Sequence, residues 1–273
     1  IDPRFAKAHR EGDIHIHDMD FYTLTTTCCQ IDLRKLFKGG FSTGHGVLRE
    51  PNDIASYSAL ACIAIQSNQN DQHGGQSVCD FDYGLALGVK KTYRRLFKKH
   101  LAEALDLLTG LENSREVAET AVGRTEGETG EVAKLVMDAT YLNELHHVLA
   151  EQEISEEVIE RALAYAEKSA KTDTDRATFQ AMEALVHNLN TMHSRAGAQT
   201  PFSSINYGMD TSAEGRMVIK NILLATEQGL GSGETPIFPV QIFRVKEGVN
   251  YNPGDPNYDL FRLAMRCSAK RLF

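Results

Sequence analysis

The chain has 273 residues, 42% of them hydrophobic and 24% charged, a balance that fits a folded protein and excludes global disorder. Its formal charge of -8 argues against a partner held by neutralising a polynucleotide backbone, and no apolar run is long enough to span a bilayer, so neither nucleic acid nor membrane is expected. Five cysteines (Cys28, Cys29, Cys62, Cys79, Cys267) form no CxxC pair, and Ile1-Asp2-Pro3-Arg4 has no signal-peptide pattern; together these point to a reducing, cytoplasmic address.

Up to about residue 80, short β-prone runs alternate with glycine-rich connections. His15-Ile16-His17-Asp18 sets two imidazoles on one face of an extended segment. Such spacing occurs in metal sites and equally suits hydrogen bonding to a polar ligand; a metal would need a further ligand, and nothing selects His45 or His73 for it. Residues 25–32 read as a strand because β-branched residues dominate its start, and 33–37 as a short helix closed by a turn at Gly39-Gly40. Strand alternation sends the thiols of Cys28 and Cys29 to opposite faces, so one alone can face a given pocket, though both could be small core residues. The glycine-rich stretches 39–46 and 229–233 lack the Lys-Ser/Thr ending of a P-loop, and plain turns are the simpler reading.

Residues 52–69 have helical apolar spacing, with Asn52 or Asp53 as N-cap, and run into a polar loop at 70–75. Cys62, within an apolar run, and Cys267, within a helix, are expected as buried hydrophobes. Between 81 and about 197 four helical stretches are predicted, at 81–109, 130–151, 155–171 and 174–196, with 123–130 as a flexible insertion. The basic run Lys90, Lys91, Arg94, Arg95, Lys98, Lys99 and His100 is either a solvated helix face or a cradle for a small phosphorylated ligand. Residues 201–207 and 236–243 read as strands separated by a helix near 211–228, an alternation that favours parallel strands in an α/β sheet or barrel. Ser204 and Asn206 share one strand face and Ser203 takes the other. The last predicted helix, from about 258, reaches residue 273 without a C-cap glycine, so the chain is expected to be cut rather than finished.

Taken together, the order and wording of these segments resemble the anaerobic (class III) ribonucleotide reductases of the glycyl radical enzyme superfamily. The resemblance is carried by His15-Ile16-His17-Asp18, Cys28-Cys29-Gln30-Ile31-Asp32-Leu33, Thr43-Gly44-His45-Gly46-Val47-Leu48-Arg49-Glu50-Pro51, residues 64–76 (AIQSNQNDQHGGQ), residues 188–195 (NLNTMHSR), Pro201-Phe202-Ser203-Ser204-Ile205-Asn206 and Asn257-Tyr258-Asp259-Leu260. It implies an α/β fold: a ten-stranded barrel of two half-barrels, predominantly helical outside its strands, of which residues 1–273 would supply about the first half, with the helical segment at about 81–197. It also implies that a glycyl radical on a C-terminal loop generates a thiyl radical on a barrel cysteine. That radical takes the 3′-hydrogen of a ribonucleoside triphosphate so that the 2′-hydroxyl leaves. A second cysteine facing the sugar takes part in the reduction, and it matches Cys28; Cys29 is assigned to packing. His15, His17, Ser204 and Asn206 are the expected substrate contacts.

The family's Met-Gly-Cys context, glycyl radical loop and zinc-binding cysteine cluster do not occur in these 273 residues, nor does an ATP cone, and the chain alone is expected to be inactive. The resemblance further implies a homodimer with a specificity site for deoxynucleoside triphosphate or ATP effectors, matched by Arg49, Glu50, Asn52, Gln66, Tyr93 and Arg95, with Arg49 and Arg95 preferred as phosphate contacts. A radical-SAM activating enzyme and either formate or a protein dithiol as reductant are the implied partners. Two rival readings are a glycyl radical lyase of the pyruvate formate-lyase type, which would need no nucleotide site, and a metal-dependent hydrolase using His15, His17 and Asp18. A nucleotide-sensing dimer without catalysis is a third.

Overall fold

A computed structural model describes residues 1–16, 19, 26–193 and 197–271. His17, Asp18, the start of the predicted strand at Thr25, and Ser194-Arg195 of the family-like stretch therefore lie outside the described residues. The elements, in chain order, are α1 (Pro3–Glu11), β1 (Cys29–Ile31), α2 (Leu33–Phe37), β2 (Phe41–Ser42), β3 (Val47–Leu48), α3 (Ile54–Asp71), β4 (Gln76–Val78), α4 (Phe81–Thr109), α5 (Ser114–Thr129), α6 (Ala139–Ala150), α7 (Glu156–Thr191), β5 (Ser203–Tyr207), α8 (Ala213–Gln228), β6 (Val240–Phe243) and α9 (Tyr258–Arg271).

The architecture is α/β and mostly helical. β1, β4, β5 and β6 form one sheet in that spatial order, every neighbouring pair parallel, as the βαβ alternation predicts. The register sets Cys29 beside Gln76 and Ser203, and Gln30 beside Ser77, Ser204 and Val240. Alternation then divides the sheet. Ile31, Val78, Ile205 and Tyr207 are buried against the helical layer, whereas Gln30, Val240 and Ile242 on the other face are exposed. The glycine-rich stretch at 39–46 forms the antiparallel β2–β3 hairpin, a turn as expected.

Local chemistry explains the helix ends. Asp53 and Ser56 make a reciprocal capping box at the start of α3, and the Asp32 carboxylate accepts the Arg34 and Lys35 N–H groups at the start of α2. Buried α4 runs through the middle of the helical layer, packed on α3, α5, α7 and α8. Its Gly88 lets α3 approach, since a Cβ there would meet the Tyr57 ring at 2.8 Å.

Three expectations fail. The helix predicted at 130–151 begins only at Ala139, where the Asp138 side chain caps it, and residues 131–138 are not helical. The stretch predicted as a flexible insertion lies mostly in α5, because Val117, Ala118, Ala121 and Val122 bury a stripe that outweighs the poor helix propensity of exposed Gly123 and Gly127. The helices predicted at 155–171 and 174–196 are one: Ala162, Ala166, Ala170, Thr174 and Thr178 form an unbroken buried i, i+4 stripe, and nothing at 172–173 interrupts it. Cys62 and Cys267 are buried, as expected. Among the described residues, no helix is long and apolar enough to cross a membrane.

Candidate functional site

The exposed sheet face carries the first candidate site. β1 begins at Cys29 rather than at residue 25, with Thr26 held by an isolated parallel bridge to Gln72, so Cys28 stands one residue ahead of the strand. Its thiol is exposed, and with Gln30, Ser77, Ser204 and Val240 it lines a cavity of about 470 Å³. Phe202 and Phe238, edge to face at 5.0 Å between centroids, form the apolar wall. Asn206 follows two residues after Ser204 on the same face, and its Nδ2 donates to Ser77 Oγ at 2.8 Å. That bond fixes the amide and leaves its carbonyl oxygen to accept from a ligand hydroxyl. Cys29 is half-buried and packs on the core, and Ser203 is buried. Along β5 alternation separates half-buried Ser204 and Asn206 from buried Ser203, but Cys29 and Ser203 also border the cavity, and Cys28 precedes the strand, so its exposure does not come from strand alternation.

His15 is not part of this group. It follows α1, its ring 5.5 Å from that of His9, and it does not line the cavity. Among the described residues no cluster of three His, Cys, Asp or Glu side chains is arranged to hold a metal, and His17 and Asp18 fall outside them.

The second site is a groove of about 970 Å³ along α4 and α5. Lys91, Arg94, Arg95, Lys98 and Lys99 reach it from successive turns of α4, and Arg115 comes from α5. Arg94 is engaged with Glu126 at 2.6 Å, and Lys99 with Glu103, but Arg95 and Lys98 form no ion pair among the described residues. Arg95 and Lys98 thus face the groove without a direct ion pair, although Glu103, Asp106 and Glu119 also line it and the Arg95 charge helps lower the Asp53 pKa.

Of the expected effector contacts, Asn52 and Arg95 line this groove. Arg49 is exposed and shares with Asn52 an adjoining cleft of about 320 Å³. Glu50 is already engaged: it accepts from Lys91 Nζ at 2.7 Å and from Gly39 N at 3.0 Å, and these bonds hold its carboxyl below the usual range. Gln66 is half-buried on α3, its Nε2 without a partner, and lies outside the groove. Tyr93 requires correction. Its ring is 1% exposed and stacks on Phe97 at 5.9 Å, and burial drives its hydroxyl pKa far up, so it is a core residue with no access to a ligand in the groove.

A third group ties down the C-terminal ends of the strands. Asp82, fully buried at the start of α4, accepts the N–H groups of Gly208, Met209 and Asp210 at 2.9, 2.9 and 3.0 Å. Asp80 bridges Arg34 and Arg244, and buried Asn250 and Asn257 donate to the Gly208 carbonyl. Burial pushes the half-buried Cys79 thiol up, with Asp80 adding to it, and burial takes Cys62 to about 12, leaving both less ionised than an ordinary cysteine. The sequence pattern did not single out Ser77, Asp82 or Arg115. Ser77 follows directly on the Gly74-Gly75-Gln76 stretch and alternation could have found it, whereas Asp82 and Arg115 act on partners with no signature in their own neighbourhood.

Comparison with known proteins identifies the family. A family model described as anaerobic ribonucleoside-triphosphate reductase matches residues 1–273. The protein of that name from Enterobacteria phage T4 is 31% identical over 270 residues, 98% of this chain and 35% of the phage protein. Those of Haemophilus influenzae and Escherichia coli are each 27% identical over 271 residues, 98% of this chain and 30% of theirs. The chain spans about a third of the length of the curated relatives it matches. With a family model matched along its whole length and a relative 31% identical over 98% of it, this chain belongs to the anaerobic ribonucleoside-triphosphate reductase family.

Proposed function

We propose that these residues form one wall of the ribonucleotide site, and the effector cradle, of an enzyme that reduces ribonucleoside triphosphates to deoxyribonucleoside triphosphates. The observation that carries the proposal is the open sheet face on which Cys28 looks across the same cavity as Ser77 and Ser204. Replacing the 2′-hydroxyl by hydrogen consumes two electrons and two protons and releases water. Cys28 contributes to that reduction as a thiol beside the sugar, with formate or a protein dithiol as the ultimate reductant. Ser204, Ser77 and the Asn206 carbonyl bind ribose or phosphate oxygens, and the Phe202–Phe238 wall excludes water from that side. The glycyl radical, installed by a radical-SAM activating enzyme on a residue outside these 273, supplies the hydrogen-abstracting chemistry; the family's zinc site also lies outside them. The sheet is, on this proposal, part of the ten-stranded barrel, and the protein works in the cytoplasm.

The α4–α5 groove fits the triphosphate of a deoxynucleotide or ATP effector, because Arg95 and Lys98, which form no direct ion pair among the described residues, offer charge-assisted hydrogen bonds. Next to it α3 exposes Ala55, Ala59 and Ile63 on a helix with no charged residue before Asp71, a surface that suits the other subunit of a homodimer.

The test is Cys28→Ser in the full-length, activated reductase. Deoxynucleotide formation should be lost while the glycyl radical signal and triphosphate binding persist; turnover at the wild-type rate would remove Cys28 from the chemistry.

A further inference from the structure

The amide- and glycine-rich stretch at 64–76 carries much of the family resemblance, yet the proposed function leaves most of it without a task. Resting on the reading of Cys28 as the reductive thiol, we infer that the end of this stretch, centred on Gly74, is the positioning element of Cys28.

Among the described residues β1 pairs with β4, and residues 26–29 are held by residues 72–75. His73 N donates to Thr26 O at 2.8 Å and Cys29 N to Gly75 O at 3.3 Å, and the Thr26–Gln72 bridge lies alongside. These two bonds bracket Cys28. The loop that makes them is itself anchored from below. Gln72, 1% exposed, donates its Nε2 to the carbonyls of Gly74 and Gly75 at 3.4 and 3.3 Å. Gln76, 4% exposed, accepts from Asn68 Nδ2 at 2.8 Å and donates to Ile65 O at 2.7 Å, which fastens the loop to the last turns of α3. The donors of Gln72 and Gln76 thus serve the loop.

Between the anchors Gly74 has φ +96°, a backbone region that side chains disfavour. The turn alone does not explain the glycine. Gly44 has φ +92° as well, but a Cβ there would meet nothing within 4 Å, whereas a Cβ on Gly74 would collide with the Thr27 carbonyl oxygen and stand 3.7 Å from Cys28 Sγ. The loop backbone therefore lies directly against the peptide that carries the thiol, and the missing side chain is what allows that approach. Gly74 is a positioning residue, acting through Thr27 and Cys28 without touching substrate.

The experiment uses the full-length, activated reductase with Gly74→Ala. kcat should fall about tenfold to a hundredfold, as expected when a reacting group is misplaced by around 1 Å, with KM for the ribonucleotide changed less than about twofold and the glycyl radical content unaltered. Hydrogen exchange read by mass spectrometry should speed up in peptides covering 26–29 and 72–76 and stay unchanged in α4 and α8. A wild-type kcat, or exchange unchanged around Cys28, would overturn the inference. Gln72→Met keeps the side chain's length but loses its donors, and should move both readouts the same way by less. If the alanine variant fails to fold, a wild-type kcat and wild-type exchange in Gln72→Met would refute the inference instead. Since exchange is measured without turnover, a Cys28→Ser enzyme that stays active would sink the Cys28 chemistry while the positioning result is judged separately.

Discussion

Replacing Asp82 by alanine probes how the helical layer holds β5. One carboxylate oxygen, on a fully buried side chain, accepts three successive N–H groups of the turn that follows β5, and two of those bonds, to Gly208 and Asp210, are buried. Stranding a buried donor costs about 1–3 kcal/mol, so the two buried groups account for roughly 2–6 kcal/mol, while water can reach part of the third. For a chain of this size each kcal/mol corresponds to about 2–4 °C, and a loss near 4 kcal/mol lowers the melting temperature by about 8–16 °C. Asp82→Asn keeps one acceptor oxygen and should fall between the two. Guanidinium unfolding followed by circular dichroism gives the free energies, and hydrogen exchange at 208–210 locates the damage. An alanine variant within 1 kcal/mol of wild type, or one whose turn exchanges no faster, would mean that the three bonds contribute little and that β5 is held by packing alone.

The proposed effector groove should respond to removal of Arg95 and Lys98, which form no direct ion pair among the described residues. In the full-length reductase, a deoxynucleoside triphosphate at a hundred times its Kd stabilises the wild type by about 2.7 kcal/mol; Arg95→Ala with Lys98→Ala, weakening binding about a hundredfold, should leave about 0.4 kcal/mol. An undiminished thermal shift in the double variant would place the effector elsewhere. Asp210 offers a pH test. Burial, with Asp82 and Glu214 nearby, raises its folded pKa, so the folded state favours the protonated acid; relative stability is greatest at low pH and is lost as pH rises through the folded value. Asp210→Asn removes the charge, and its stability relative to wild type should therefore improve from pH 3 to pH 8; a difference that stays flat across that range would contradict the assignment.

Much of the fold is legible locally. The bounds of α2 and α4 follow from apolar spacing and caps, and the period of two along β5 separates Ser204 from Ser203, whereas Cys28 precedes β1 and strand alternation does not place it. Where local signals mislead, packing has overridden them: α5 persists through Gly123 and Gly127 because its opposite side is buried. Tyr93 shows the converse danger. Val89, Tyr93 and Phe97 stand four residues apart and are all buried, so the helical pattern already marks Tyr93 as core, and it was the family resemblance that suggested a ligand contact. The site itself is assembled from pairs that no local pattern can disclose. Asn206 is oriented by Ser77, 129 residues earlier, and the turn after β5 is held by Asp82, 126 to 128 residues earlier. Bonds of such reach form when the sheet closes over α4, so the side chains proposed to bind substrate are fixed by the same long-range contacts that complete the fold. Substitutions at Asp82 should therefore impair stability and substrate binding together, whereas those at Gly74 should impair the rate with little change in binding.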